Sequence, residues 1–322
     1  MEERSTLIEA DGLQRFFGPT QAVQDFSFQL ERGEILGFLG VNGAGKTTTM
    51  EMLTGNLAPS GGRIELNGCD LLDNPRPAKA SVGYLPETLP LYTTMTVDAY
   101  LRFCARLNRV PKADLDEAVA TAMRRCGLED VAERVIANLS RGYKQRVGLA
   151  QAIVHDPEVL ILDEPTKGLD PIQVREIRQL IRELGKSHSV ILSSHVLPEV
   201  EAICTRVQII HEGRLVLAED VSALRARMQH SSLLLGGRAL PAPESVQGIQ
   251  GVERVERLDD GRLRVFHDTQ SDTAEQIVAR AASEGWGLWE LTPERKSLEQ
   301  VFVDLTGASE SEVQDTNEEM AA

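Results

Sequence analysis

Gly40-Val41-Asn42-Gly43-Ala44-Gly45-Lys46-Thr47 is the stretch that decides the fold of this chain. It has the form Gly, four residues, Gly-Lys-Ser/Thr. It stands between an apolar run, Glu34 to Leu39, and a stretch of helical spacing that runs from Lys46 through Met50 and Leu53 to a capping Gly55. A strand feeding a glycine-containing turn and then a helix wraps successive backbone N–H groups around phosphate oxygens, with the positive end of the helix dipole behind them. Gly40, Asn42, Gly43, Ala44, Gly45, Lys46, Thr47 and Thr48 are therefore the expected phosphate cradle. Lys46 would reach the β- and γ-phosphates, and Thr47 would place its hydroxyl on a Mg²⁺ ion.

By itself such a cradle specifies only a nucleotide binder, since GTPases, small-molecule kinases and helicases share it. A second element narrows the chemistry. The strand-like run Val159-Leu160-Ile161-Leu162 ends in Asp163-Glu164-Pro165. A buried strand would deliver Asp163 toward the metal, to hold it through water. Glu164, one step beyond, could orient and polarise an attacking water as general base. Without the cradle, Glu164 would read as a surface carboxylate where a strand gives way to a loop. With it, the two carboxylates form a hydrolytic site.

Between cradle and carboxylates lies Leu139-Ser140-Arg141-Gly142-Tyr143-Lys144-Gln145-Arg146, followed by helical spacing. Here the chain resembles the ABC (ATP-binding cassette) ATPase family, whose signature Leu-Ser-Gly-Gly-Gln opens a helix in an inserted helical subdomain. The resemblance implies that Ser140 and Gly142 contact the γ-phosphate of ATP held by an opposing subunit, although Ser140 is also a good helix N-cap. It further implies that Gly168-Leu169-Asp170 is the D-loop, that His195 is the switch histidine sensing γ-phosphate, and that Phe17 stacks on adenine. Phe26 and Phe28 read as core. Two departures fall at functional positions. Arg141 and Tyr143 replace the signature's first glycine and its glutamine, and Gly83-Tyr84-Leu85-Pro86-Glu87 ends in Glu where the family has Gln. Glu87 can still ligate Mg²⁺, with an added negative charge near the triphosphate. Arg141 could offset charge across the interface between cassettes.

The implied fold class is α/β: a P-loop NTPase cassette with an inserted helical subdomain, plus a small α+β C-terminal domain with a ferredoxin-like candidate order. The cassette spans about residues 1–225, with strands alternating with helices over a mainly parallel sheet. Its helical subdomain covers about 95–155, where Val97 to Leu107 and Leu115 to Cys126 repeat at helical spacing and Gly127 is a stop. Residues 226–307 change texture. A strand at Ser232 to Leu235, a helix near Glu244 to Ile249, a hairpin of Val252 to Arg257 and Arg262 to Phe266, a helix at Ala274 to Ala282 and a strand at Trp286 to Leu291 give βαββαβ. A last helix is expected at Leu298 to Leu305, and Ser297 to Gly307 resembles the C-terminal extension of stand-alone ATPases of the bacterial drug, sodium and gliding-motility exporter group. Residues 308–322 form an acidic tail with the composition of disorder.

Composition limits the partners. With 322 residues, 42% apolar and 26% charged, the chain can fold as one large and one smaller domain. No apolar run approaches the roughly 20 residues of a membrane helix, and the start lacks a secretory pattern, so the chain is expected in the cytoplasm. The net charge of −15 opposes nucleic-acid binding. Cys69, Cys104, Cys126 and Cys204 form no Cys-x-x-Cys pair and are expected to be buried, structural residues. Resemblance to the family implies a head-to-tail dimer with a second copy, ATP and Mg²⁺ as ligands, and attachment to the cytoplasmic face of the membrane through a separate permease, in the direction of export. The rival is an ABC ATPase of a soluble, non-transport assembly, because fold and site do not name the partner.

Overall fold

Phe26, Phe28 and Leu30 alternate with polar neighbours, a period of two that turns all three to one side of a strand, and all three are buried. The computed structural model describes residues 5–228, 232–268 and 271–294. The chain divides into two compact units, Met1–Val221 and Ser222–Ala322.

The first unit holds two sheets. Strands β1 (Thr6–Phe17) and β2 (Thr20–Glu31) pair antiparallel, and with β4 (Gly61–Leu66) and β5 (Cys69–Asp70) they form a sheet in the order β2-β1-β4-β5. The six-stranded sheet is built from β3 (Ile35–Leu39), β6 (Val82–Leu85), β7 (Val159–Leu162), β8 (Ser189–Ser194), β9 (Arg206–His211) and β10 (Arg214–Asp220). Its order is β10-β9-β3-β8-β7-β6. All its pairs are parallel except β9 with β10. The expected parallel sheet is thus present, but a second, antiparallel one accompanies it. Alternating apolar residues reveal a strand and its buried face, not the sheet that the strand joins. Phe38 of β3 joins the two sheets, its ring centroid 5.7 Å from that of Phe26 and 5.2 Å from that of Phe28. Edge-to-face packing of this kind adds about 0.5–1.5 kcal/mol per pair beyond burial.

Helices complete the unit: α1 (Lys46–Leu53), α2 (Pro75–Ala80), α3 (Val97–Leu107), α4 (Leu115–Cys126), α5 (Arg141–Ile153), α6 (Pro171–Leu184), α7 (Leu197–Ile203) and α8 (Val221–Met228), the last crossing into the second unit. One stripe of α3 (Val97, Tyr100, Leu101, Cys104) and one of α4 (Leu115, Val119, Ala122, Cys126) are buried, as their spacing requires. Gly127, at φ 64°, ends α4 in the left-handed conformation. Cys104, Cys126 and Cys204 are buried. Cys69 is only half-buried, packed on the rim of the main core from the two-residue edge strand β5, which is too short to be covered on both sides.

The second unit contains β11 (Ser232–Gly237), α9 (Pro243–Gln247), β12 (Val252–Arg257), β13 (Leu263–His267), α10 (Thr273–Glu284) and β14 (Leu288–Glu294). Its sheet runs β12-β13-β11-β14 with every pair antiparallel, which is the ferredoxin-like arrangement of βαββαβ. Leu233, Leu235, Val246, Leu263, Val265 and Ile277 fill its core. Trp286, expected to open the last strand, is instead buried in the turn before β14, because Gly285 and Gly287 on either side take φ of 73° and 59°. The helix expected at Leu298 to Leu305 and the acidic tail lie outside the described residues.

Candidate active site

The cradle is the turn from β3 into α1, and backbone crowding dictates its glycines. A Cβ on Gly40 would lie 2.3 Å from the carbonyl oxygen of Ile210. One on Gly45, which sits at φ 102°, would lie 2.7 Å from that of Ala22. The turn is tied from behind by the Gly213 N–H, which donates to the Ala44 oxygen at 2.9 Å. Asn42 and Gly43 form its exposed tip, Thr47 is exposed at the second position of α1, and Thr48 is half-buried beside it. Lys46 is buried, with Nζ donating to the carbonyls of Gly40 at 2.8 Å and Val41 at 3.0 Å. Burial pushes its ammonium below the usual lysine range, against the opposing pull of the Glu164 and Asp163 carboxylates.

The ends of β7 and β8 deliver the rest. Asp163 is 1% exposed; its Oδ1 accepts from the Ser193 hydroxyl at 2.5 Å. Its Oδ2 is buried without a hydrogen-bond partner. Burial raises this carboxyl above the usual range, opposed by the hydroxyls of Ser193 and Thr47. Glu164 follows at φ 46°, a left-handed conformation uncommon for a residue with a side chain, and its N–H donates to Ser193 Oγ at 2.8 Å. That turn sends the Glu164 carboxylate toward the cradle, with Oε1 3.7 Å from Lys46 Nζ. His195 Nδ1 lies 3.1 Å from both carboxylate oxygens, so an ionised Glu164 requires the proton on Nδ1.

Lys46, Thr47, Asp163, Glu164 and His195 therefore meet at one place, and Ser193 joins Asp163 to Glu164. Sequence reasoning missed Ser193. Its only signal was its position two residues before His195, in the Ser193-Ser194-His195 run. The orphaned Asp163 Oδ2 and the exposed Thr47 hydroxyl suit a Mg²⁺ ion that draws its other ligands from water and phosphate, as this cation prefers.

The other expected residues gather elsewhere. Ser140 Oγ caps α5 by accepting from the Tyr143 N–H at 3.3 Å, and Asp170 Oδ1 caps α6 through the N–H groups of Ile172 and Gln173, each at 3.0 Å. The two helix starts touch, since a Cβ on Gly142 would lie 2.9 Å from Gln173 Cδ. Arg141 Nη1 donates to the Gly168 carbonyl at 2.7 Å, so this departure from the family's signature ties the start of α5 to the Gly168 loop of the same chain. Glu87 Oε1 is 2.5 Å from Lys167 Nζ, an exposed ion pair. Phe17 presents a half-exposed ring at the end of β1, with the Arg15 guanidinium carbon 4.7 Å from its centroid.

Comparison with known proteins places the chain in a family. The family described as ABC transporter matches residues 23–167. A bacitracin transport ATP-binding protein of Bacillus licheniformis is 33% identical over 309 residues, covering 94% of this chain and 98% of that protein. The structure of cbiO1 from Clostridium perfringens, described as part of the ABC transporter complex cbiONQ, superposes with a TM-score of 0.63. It is 30% identical over 69% of this chain and 91% of its own. The ATP-binding cassette MJ0796, described as a dimeric post-hydrolysis state bound to ADP and Pi, shares the fold at a TM-score of 0.61 and 18% identity, over 67% of this chain and 99% of its own.

Proposed function

The chain belongs to the ABC transporter family as an ATP-binding subunit with ATPase activity, and from there we propose that Glu164 is its general base and that hydrolysis drives a separate membrane-embedded permease, in the direction of export. The observation that carries the catalytic part is the Glu164 carboxylate, 6% exposed and held between Lys46 Nζ and His195 Nδ1. A buried carboxylate oriented from two sides can hold and polarise a water aimed at a γ-phosphate without reorganising during the reaction. Lys46 leaves the loop carbonyls for the β- and γ-phosphates, and His195 contacts the γ-phosphate. Thr47 and Asp163 would hold Mg²⁺, and Glu87 would join them on releasing Lys167. When bound, the ion neutralises charge on the transferred phosphoryl group.

Ser140 and Gly142 act in trans, from a second copy of the chain arranged head to tail, and Phe17 stacks on adenine. The dimeric form described for MJ0796 supports a dimer, and the complex described for cbiO1 supports a multi-subunit transporter. The described residues contain no helix long and apolar enough to cross a membrane. The proposed coupling to a permease makes the cytoplasmic face of the membrane its working location.

Replacing Glu164 by Gln tests the base: steady hydrolysis is expected to fall by at least about a thousandfold while ATP still binds and closed dimers accumulate. Turnover near the parental rate sinks the assignment. Purification of the native complex tests coupling. A membrane-embedded protein recovered with the chain supports transport, whereas a soluble partner in its place assigns the chain to a non-transport assembly.

A further inference from the structure

Two segments that carry the site and the neighbouring helix α6 meet on a single buried carboxylate that the chemistry above does not use. Glu199, in the first turn of α7, is 7% exposed. Its Oε2 accepts from the Thr166 hydroxyl at 2.5 Å and from the Ser194 hydroxyl at 3.0 Å, and its Oε1 lies 3.2 Å from Arg178 Nη2. Thr166 follows Glu164 by two residues, Ser194 immediately precedes His195, and Arg178 stands on α6, the helix that Asp170 caps. Ser194 Oγ also accepts from the Val196 N–H at 3.0 Å, and the Glu199 N–H donates to the Val196 oxygen at 3.0 Å, so the turn bearing His195 is closed from both ends.

We propose that Glu199 is a positioning residue for ATP hydrolysis, holding the loop of Glu164 and the turn of His195 at the separation that keeps the two in contact. Carboxylate chemistry accounts for the choice of residue. A carboxylate out of water is tolerated only where hydrogen bonds and a cation satisfy it, and an apolar side chain of similar size serves stability as well or better. What an apolar side chain cannot do is accept from two hydroxyls and a guanidinium at once and so lock three backbone segments in register. Ser193 already bonds Asp163 to Glu164 on one side of the β7–β8 pair. Glu199 makes the corresponding tie on the other side, through Thr166 and Ser194. The inference rests on Glu164 and His195 acting together, as proposed above.

The test uses the full chain. Thr166→Val keeps shape and removes one donor to Glu199; Ser194→Ala removes the other; Glu199→Gln keeps volume and removes the charge. For each, phosphate release against ATP concentration, affinity for a fluorescently labelled ATP and the midpoint of thermal unfolding are measured. Thr166→Val is expected to lower kcat by about tenfold to a hundredfold, with KM and nucleotide affinity within about twofold of the parent, because a small misplacement costs rate and not binding. The double variant Thr166→Val/Ser194→Ala is expected to lose less than the product of the two single losses, since both act through Glu199. Glu199→Gln is expected to show the same separation of kcat from KM. A parental kcat in Thr166→Val overturns the proposal. So does a parallel fall of kcat, nucleotide affinity and unfolding midpoint across all three variants, which marks general loosening. Glu164→Gln, measured alongside, keeps two failures apart: retained turnover there removes the base and this proposal together, whereas lost turnover there with parental kcat in Thr166→Val removes the positioning role alone.

Discussion

Two clusters of polar residues in the first unit are built on opposite principles. Around the cradle, Lys46, Asp163 and Glu164 are buried and hold one another or Ser193, so charge is kept away from water before any substrate arrives. Around the starts of α5 and α6, Ser140, Arg141 and Asp170 are exposed, and each bonds to nearby backbone: a helix N–H, the Gly168 carbonyl, two further helix N–H groups. Fixed charge shielded from water is what a reaction that redistributes phosphate charge needs. Capped helix N-termini on a surface offer partial positive charge and pointed N–H groups to an anion brought from outside. The contrast explains how one chain can carry a whole set of family motifs and yet assemble only part of them into one site.

The largest expected effect breaks the buried cluster. Lys46→Ala removes the ammonium 3.7 Å from Glu164 Oε1 and leaves the Asp163 and Glu164 carboxylates buried without it. ATP hydrolysis at saturating substrate is expected to fall on the order of a thousandfold, as when a preorganised charge-stabilising donor is deleted. Phosphate release measures it. A rate within tenfold of the parent would mean that the buried cluster is structural and that the charge for the reaction comes from elsewhere.

The buried cluster was also the more legible of the two from sequence, and the reason is physical. Gly40 to Thr47 and Asp163-Glu164 are contiguous, and their chemistry follows from strand-turn-helix geometry alone. The roles of Ser193 and Glu199 depend on which strands lie side by side. The β7–β8 pairing that brings Ser193 to Asp163 is a tertiary fact with no local signature. The same reasoning applies to the antiparallel sheet. The alternation in β1 and β2 announces strands, whereas their separation from the parallel sheet is decided by packing of Phe26 and Phe28 on Phe38. In the exposed cluster the motif letters were readable, but the partners of Arg141 and Glu87 were not. Long side chains at the surface choose among several nearby groups, and here Gly168 and Lys167 are the ones they reach. The βαββαβ order of the second unit was legible because its glycine and proline punctuation is local, apart from Trp286, whose flanking glycines turn it out of the strand.

A smaller effect sharpens the same comparison by separating a cap from a contact. Ser140→Ala removes the N-cap of α5 and is expected to cost about 1 kcal/mol of stability. Ser140→Asp keeps an oxygen acceptor for the Tyr143 N–H, and its negative charge suits a helix N-terminus, so stability is expected to stay within about 0.5 kcal/mol of the parent. That same charge opposes a triphosphate delivered by a second copy. Ser140→Asp is thus expected to reduce hydrolysis at least about tenfold, and more than Ser140→Ala does, a ranking that inverts the order of stabilities. Unfolding midpoints and phosphate release on the same samples read both. If hydrolysis follows stability across the two variants, the serine is a cap and nothing more.

The smallest expected effect concerns the contact between the end of α4 and the residues that lead into β8. Arg125, at the end of α4, places Nη1 2.9 Å from His188 Nε2 and Nη2 2.5 Å from Ser187 Oγ, just ahead of β8, the strand that carries Ser193. Since a guanidinium only donates, Nε2 is the acceptor, and Nδ1–H donates to the Pro157 oxygen at 2.7 Å, which makes His188 neutral with both nitrogens used. Burial holds its pKa below the usual histidine range and the Arg125 charge adds to this. The Pro157 carbonyl and Asp156, 4.0 Å from Nε2, pull the other way. With the folded-state pKa below the unfolded one, the unfolded chain binds more protons as pH falls. The stability of the neutral form is complete above about pH 6.5 and is lost as pH falls through the folded-state pKa. His155, also depressed by burial, contributes in the same direction. Replacing His188 by Gln keeps an acceptor for Arg125 and a donor for Pro157 without a titrating proton. Thermal midpoints at pH 7.5 and 5.5 should therefore lie closer together in the variant than in the parent, with a residual gap from His155 and the carboxylates. An unchanged gap would place the acid sensitivity of the fold away from this contact.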